Sequence, residues 1–301
     1  MEQADLFGVL NYNKNIEFKG GIISPVDNFQ VIKDWIETFT NVDGFIYPPY
    51  GSRWKLDLRT EEPIEEVPKT KRCAHLYTIP ISHKIKLFDV SEEREKFRYG
   101  LGGFVVYLLT YLFGTRLQFF DWWNDSRIPI NNRANDFYID NSTISHFISH
   151  SFKIYNGWNV NDRNLFLNIL YMHSKAPSYE WDWERFTVEY MIFDACFNLA
   201  KSLYRITANS HKQKFNVICN KFGIHYEENF INKIYRLRID LFHKMLWDNK
   251  TPGHSVSDMS FMAPEYLRSF NQRIIPALLN YMTPYIKTNW WVRGYHSFDL
   301  P

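Results

Sequence analysis

The sequence predicts an α+β protein, with a mixed α/β domain over residues 1–155 and an all-α helical bundle over 156–301. Three observations predict it. Short stretches in the first hundred residues alternate apolar and polar side chains, as half-buried strands do. Turn residues such as Gly20-Gly21 and Pro48-Pro49-Tyr50-Gly51 separate those stretches. From about residue 161 the strand patterning stops, and apolar residues recur at helical spacing between polar loops.

In chain order, Ile16-Glu-Phe-Lys and Arg53-Trp-Lys-Leu-Asp-Leu58 read as strands. Between them, Ile32, Trp35, Ile36 and Phe39 fall on one face of a helix. The charged, proline-interrupted stretch 61–72 reads as an exposed loop. Segments 75–81 and 84–88 alternate again and read as strands. Ser91 is a suitable cap for the next helix, with Glu92 and Glu93 in its first turn. That helix is expected to run into the apolar stretch 101–113, which is shorter than the roughly 20 residues of a membrane span and reads as a buried helix. Residues 121–140 are rich in Asn, Asp and Trp and look irregular. The helices expected after them cover about 163–173, 181–204, 211–222, 227–248 and 263–286.

Composition narrows the function classes. Aromatic residues make up 18% of the chain, which favours a bulky core over disorder. A net charge of +2 gives no global electrostatic case for nucleic acid, yet residues 201–250 hold ten Lys or Arg against four Asp or Glu. Cys73, Cys196 and Cys219 are widely spaced and form neither a zinc nor a disulfide framework, so a reducing compartment is expected. The N-terminus lacks the features of a signal peptide, and a cytoplasmic protein with no membrane contact is the expectation. The chain carries no phosphate-binding glycine loop, nucleophile elbow or dinucleotide fingerprint, and no cofactor is implied.

The segment with chemical potential is Tyr235-Arg-Leu-Arg-Ile-Asp-Leu-Phe-His243. With Arg236 set at zero on an ideal helix, Asp240 falls at about 40°, His243 at about 340° and Trp247 at about 20°. These share one stripe. Arg238 falls at about 200°, among Ile234, Leu237, Leu241 and Met245. A guanidinium there needs a partner or a shared interface, because an unpaired buried charge is costly. Histidine moves protons at neutral pH, and arginine stays charged and forks onto phosphate oxygens. Together they suit cleavage of a phosphodiester beside a 2′-hydroxyl without a metal: His takes the hydroxyl proton, and Arg stabilises the transition state. Spacing alone does not decide, because Arg236 to His243 and Arg205 to His211 also match an Arg and a His with four to six residues between them.

The helical context of this segment resembles the HEPN superfamily, the helical domains of many toxin and phage-defence ribonucleases. An amphipathic helix with an internal acid, Asp194, precedes the motif; a polar loop, 244–259, follows it; and a closing helix, 264–279, comes next. The resemblance covers about 160–286 and implies Arg238 and His243 as the catalytic pair. Arg236, Asp240, Lys244 and Asp194 are auxiliary or RNA-binding candidates, with Asp240 placed to orient the imidazole. Many family members carry Asn, Asp or His directly after the motif arginine, where this chain has Ile239. The resemblance also implies RNA as substrate, a homodimer that completes the cleft, and an antitoxin or defence protein as a possible partner. A non-catalytic binding or regulatory module is the alternative within the same resemblance.

Outside that segment, His146 and His150 have the i, i+4 spacing of a helical metal pair, the basis of a second alternative, a metal-dependent hydrolase. Sequence places no third ligand. Asp194 shares a face with Asn198 and Lys201, and a buried hydrogen-bonding role is the simpler expectation, with pairing to a motif arginine as the other. Trp290-Trp291 suits base stacking, but anchoring of the tail is the simpler reading. The first 155 residues carry no interpretable motif; by analogy with similar defence proteins they would sense a trigger or restrain the nuclease.

Overall fold

Alternation builds the sheet. The computed structural model describes residues 2–49, 54–57, 59–60, 62–66, 76–130, 134–254, 257–292 and 294–301. The chain opens with β1 (Glu2–Gly8), β2 (Ile16–Phe18) and β3 (Gly21–Pro25), followed by α1 (Phe29–Phe39). Short strands β4 (Phe45–Ile46), β5 (Trp54–Leu56), β6 (Pro63–Glu66) and β7 (Leu76–Tyr77) lead to β8 (His83–Phe88). After α2 (Arg94–Tyr99) and α3 (Leu101–Phe113) come β9 (Gln118–Phe119), β10 (Asn124–Asp125), β11 (Ile128–Pro129) and β12 (Phe137–Tyr138). Helices then dominate: α4 (Asn141–Asn156), α5 (Val160–Lys175), α6 (Asp182–Tyr204), α7 (His211–Phe222), α8 (Glu228–Lys244) and α9 (Asp258–Leu278), before β13 (His296–Ser297).

The main sheet has the order β2-β3-β8-β1-β9, and its neighbouring strands are antiparallel. On β8, His83, Ile85 and Leu87 point inward, while Lys84, Lys86 and Phe88 alternate outward. The fold is thus α+β, as the sequence predicts. The sequence reading passed over β1 and β3, whose alternation is diluted by Gly, Ala and Pro. Within 61–72, Pro63–Glu66 is a strand paired with β5 rather than loop, although its residues are exposed as expected. Residues 61 and 67–72 of that stretch lie outside the described residues, as do Tyr50, Gly51, Arg53, Leu58, Cys73 and His75.

In the helices, Ile32 and Ile36 of α1 are buried in a small second cluster, whereas Phe39 is exposed. The helix expected after Ser91 is two helices, broken at Gly100, and Glu93 rather than Ser91 precedes its first turn. Residues 102–112 of α3 are buried on all sides, as expected for an interior helix. Helix α4 lies in a stretch that sequence patterning left unassigned. Asp140 starts it by accepting bonds from the backbone N–H groups of Ser142 and Thr143.

Helix α8 ends four residues earlier than expected. Met245 adopts a left-handed conformation (φ 55°), and Leu246 N–H closes onto the Asp240 carbonyl at 3.0 Å. Trp247 therefore lies beyond the helix and not on its polar stripe; it is buried against Phe186. Helix α9 starts five residues earlier than expected, because Ser257 and Ser260 form a reciprocal cap, and ends at Leu278 near Asn280, which takes φ 54°. Residues on both sides of 155 share one buried cluster, from Phe7 on β1 to Phe298 after β13. No helix among the described residues is long and apolar enough to cross a membrane.

Candidate active site

Three helices meet at Arg238. Helix α8 buries Ile231, Ile234, Leu237 and Leu241, and Arg238 sits beside the last two, half-buried. Its guanidinium carbon lies 5.2 Å from the Phe242 ring centre and 5.8 Å from that of Tyr190 on α6. Its Nη1 lies 2.9 Å from Nε2 of His243, one turn on along α8. Its Nη2 lies 3.5 Å from Nε2 of His211, the first residue of α7. A guanidinium only donates, so both imidazoles accept at Nε2, which leaves their protons on Nδ1.

His211 is held from two sides. Ser210 caps α7 by accepting from Gln213 N–H, which fixes the start of the helix and the position of its first side chain. Across from it on α6, Asp194 Oδ1 lies 3.4 Å from His211 Nδ1, at ion-pair distance but without hydrogen-bond alignment. Lys214, one turn along α7, donates to the same Asp194 oxygen at 2.9 Å.

Burial pushes the His211 imidazole below its ordinary value of 6.5; Asp194 opposes this, and the positive charges of Lys214 and Arg238 reinforce it. The positive end of α7 acts in the same direction. Burial pushes the Tyr190 phenol up, which keeps it protonated. His243 is exposed, so the cluster opens directly to solvent.

The structure brings Arg238 and His243 together, and joins Asp194 to them through His211. It does so against the helical-wheel expectation, which set Arg238 and His243 on different faces: the long arginine side chain spans the gap near the helix end. Asp194 pairs with Lys214 and faces His211, not a motif arginine. Arg236 is exposed. Asp240 is a correction. It is buried rather than on an open stripe, and its carboxylate accepts from Lys244 at 2.7 Å instead of orienting His243. Lys244 is accordingly tied to the helix end.

His211, Lys214 and Tyr190 escaped the sequence reading. His211 figures there only in the Arg205 to His211 spacing, where five residues with one apolar Ile and one Ala separate the two. Arg205 is the exposed, left-handed end of α6, while His211 belongs to the next helix. A serine cap followed at once by histidine, in the most basic stretch of the chain, is the signal that would have found it.

The remaining candidates have structural partners. His146 Nδ1 meets the Tyr281 hydroxyl at 3.0 Å, and His150 Nε2 donates to the Leu279 carbonyl at 2.9 Å. Among the described residues, no group of three or more His, Cys, Asp or Glu is placed to hold a metal ion. Trp290 is buried and donates to the His225 carbonyl at 2.9 Å, which anchors the tail. Cys196 and Cys219 are free and buried.

The fold and site together describe an α+β protein with an arginine held between two imidazoles at an open helical surface. No family model matches the chain, and neither a search of curated proteins nor one of solved structures finds a match.

Proposed function

We propose that this protein is a metal-independent endoribonuclease of the HEPN type, acting as a toxin or in phage defence. The observation that carries the reading is the 2.9 Å contact between Arg238 Nη1 and His243 Nε2, which puts a permanent cation beside a proton-transferring ring. An anionic phosphodiester is a better acceptor for the guanidinium than a neutral imidazole, so RNA would take Arg238 and release His243 for acid–base work. The open position of His243 suits a polymer substrate better than a small molecule held in a cleft. A cytoplasmic location, a homodimer through the helical half, and an antitoxin or defence protein as partner belong to the same proposal. Exposed Phe242 and Met245, next to the site, are the surface a second copy would cover.

Incubation of the full chain with RNA, with and without chelator, tests the reading. Cleavage that resists chelator and leaves 2′,3′-cyclic phosphate ends is expected. Arg238→Ala and His243→Ala should each lower the rate by about 100-fold or more. Wild-type cleavage rates in both variants would remove the assignment. Absence of cleavage by folded protein would favour a binding module, and loss of cleavage on chelation a metal-dependent hydrolase.

A further inference from the structure

We propose that His211 is the second proton-transferring residue of this site, so that one chain carries both imidazoles needed for in-line cleavage of a phosphodiester. The proposal rests on the ribonuclease reading above and extends it to a residue outside the motif helix.

The geometry is a shared guanidinium. Nε2 of His243 and Nε2 of His211 both lie within 3.5 Å of Arg238, one at each Nη. When a phosphate takes the two Nη groups, both Nε2 atoms lose their donor at once and face the group that displaced them. In-line displacement needs one group to remove a proton at the attacking oxygen and another to supply one at the leaving oxygen. A lone imidazole beside an arginine provides one of these at a time.

The surroundings distinguish the two rings. His211 faces Asp194 and Tyr190 from α6, Lys214 from its own helix and Arg238 from α8. It sits at the positive end of α7, and burial with the two cations outweighs Asp194 and keeps it neutral. Asp194, on the Nδ1 side, steadies the tautomer that leaves Nε2 free to accept. His243 is in the last turn of α8 and is open to water, so it exchanges protons with solvent.

The roles follow. His211 Nε2 takes the proton of the 2′-hydroxyl as the O2′–P bond forms. Freed from Arg238, His243 Nε2 has taken a proton from water; the P–O5′ bond breaks, and O5′ leaves with the electron pair and takes that proton from His243. The products are a 2′,3′-cyclic phosphate and a 5′-hydroxyl end. His211 is left protonated and His243 neutral, and exchange with water resets both. No imidazole from a second chain is required.

The test compares His211→Gln and His243→Gln in the full chain on two RNA oligonucleotides. The first is ordinary. The second carries sulfur in place of the bridging 5′ oxygen at the scissile link, and its thiolate leaves without needing a proton. Both variants should lose about 100-fold or more on the ordinary RNA. The sulfur substrate should restore His243→Gln close to the wild type and leave His211→Gln impaired. Wild-type cleavage by His211→Gln alongside an inactive His243→Gln overturns this proposal alone. So does rescue of His211→Gln, and not His243→Gln, by sulfur. If the wild type cleaves neither RNA, or Arg238→Ala and His243→Gln cleave normally, the ribonuclease reading falls and takes this proposal with it. A second measurement needs no variant: kcat/KM of the wild type should trace a bell against pH, with the ascending limb below the ordinary 6.5 of imidazole. A profile with a single limb overturns the two-imidazole assignment.

Discussion

Arg238 occupies a helix position where packing alone favours leucine, and its neighbours explain how it stays there. The guanidinium lies against both the Tyr190 and Phe242 rings, and its two Nη groups meet imidazole nitrogens. Desolvation of the charge is thereby offset by aromatic faces and acceptors rather than by a carboxylate. The Tyr190 ring, 1% exposed, forms the floor of this seat, while its hydroxyl has no hydrogen-bond partner among the described residues. Removal of an unpartnered buried hydroxyl relieves a desolvation cost. Tyr190→Phe should therefore be neutral or more stable by up to about 1 kcal/mol in urea unfolding. Tyr190→Ala, which removes the ring, should lose about 3–5 kcal/mol. A loss above about 1 kcal/mol for the Phe variant would show that the hydroxyl is bonded after all. At this scale the sequence was legible along one helix and not between helices. Arg238 and His243 could be read from α8, because both are local to it. His211 could not, because its distance from Arg238 depends on how α7 packs on α6 and α8. Asp240 was misread for a related reason: angular position on an ideal helix does not say which side the neighbouring helices cover.

Between α2 and α3 the chain turns within a single residue, and the glycines there are needed for close approach. A Cβ placed on Gly103 would sit 2.0 Å from the Arg98 carbonyl oxygen, a backbone atom with little freedom to withdraw. Gly103→Ala should cost about 1–3 kcal/mol, the usual range for overpacking a tight contact, and lower the unfolding midpoint accordingly. An unchanged midpoint would mean that α2 can shift away from α3 at no cost. The longer helices of the second half were readable from periodicity and caps, with ends displaced by a few residues. Those displacements have local causes: Met245 and Asn280 enter the left-handed region without being glycine. The sheet was less readable. Its strands have two to seven residues, and their pairing brings together segments about eighty residues apart, such as β1 and β8. Alternation within a segment identifies a strand, but not its partner.

Over the whole molecule, the expected division at 155 coincides with the end of α4 but not with a gap in the packing. Arg273 of α9, whose side chain is fully buried, reaches back to Asp136 at 2.8 Å and also donates to the Thr288 carbonyl at 2.9 Å. Arg268, five residues earlier, pairs with Glu189 of α6 at 2.9 Å and donates to the Ala134 carbonyl. Strand β13 pairs in parallel with β12, so the end of the chain is stitched to residues 137–138. These links carry charge into a core that apolar residues from both halves fill, and removing one partner of such a pair leaves the other buried and unpaired. The expected outcome is that the halves unfold together. Hydrogen exchange followed across a series of denaturant concentrations should show peptides from β1 and β8 opening with the same free energy as peptides from α6 and α9. Arg273→Leu should lower that shared free energy by about 3–5 kcal/mol, at residues on both sides of 155 alike. Loss of protection confined to the helical half would show that the two halves unfold separately, with Arg273 serving only its own helices.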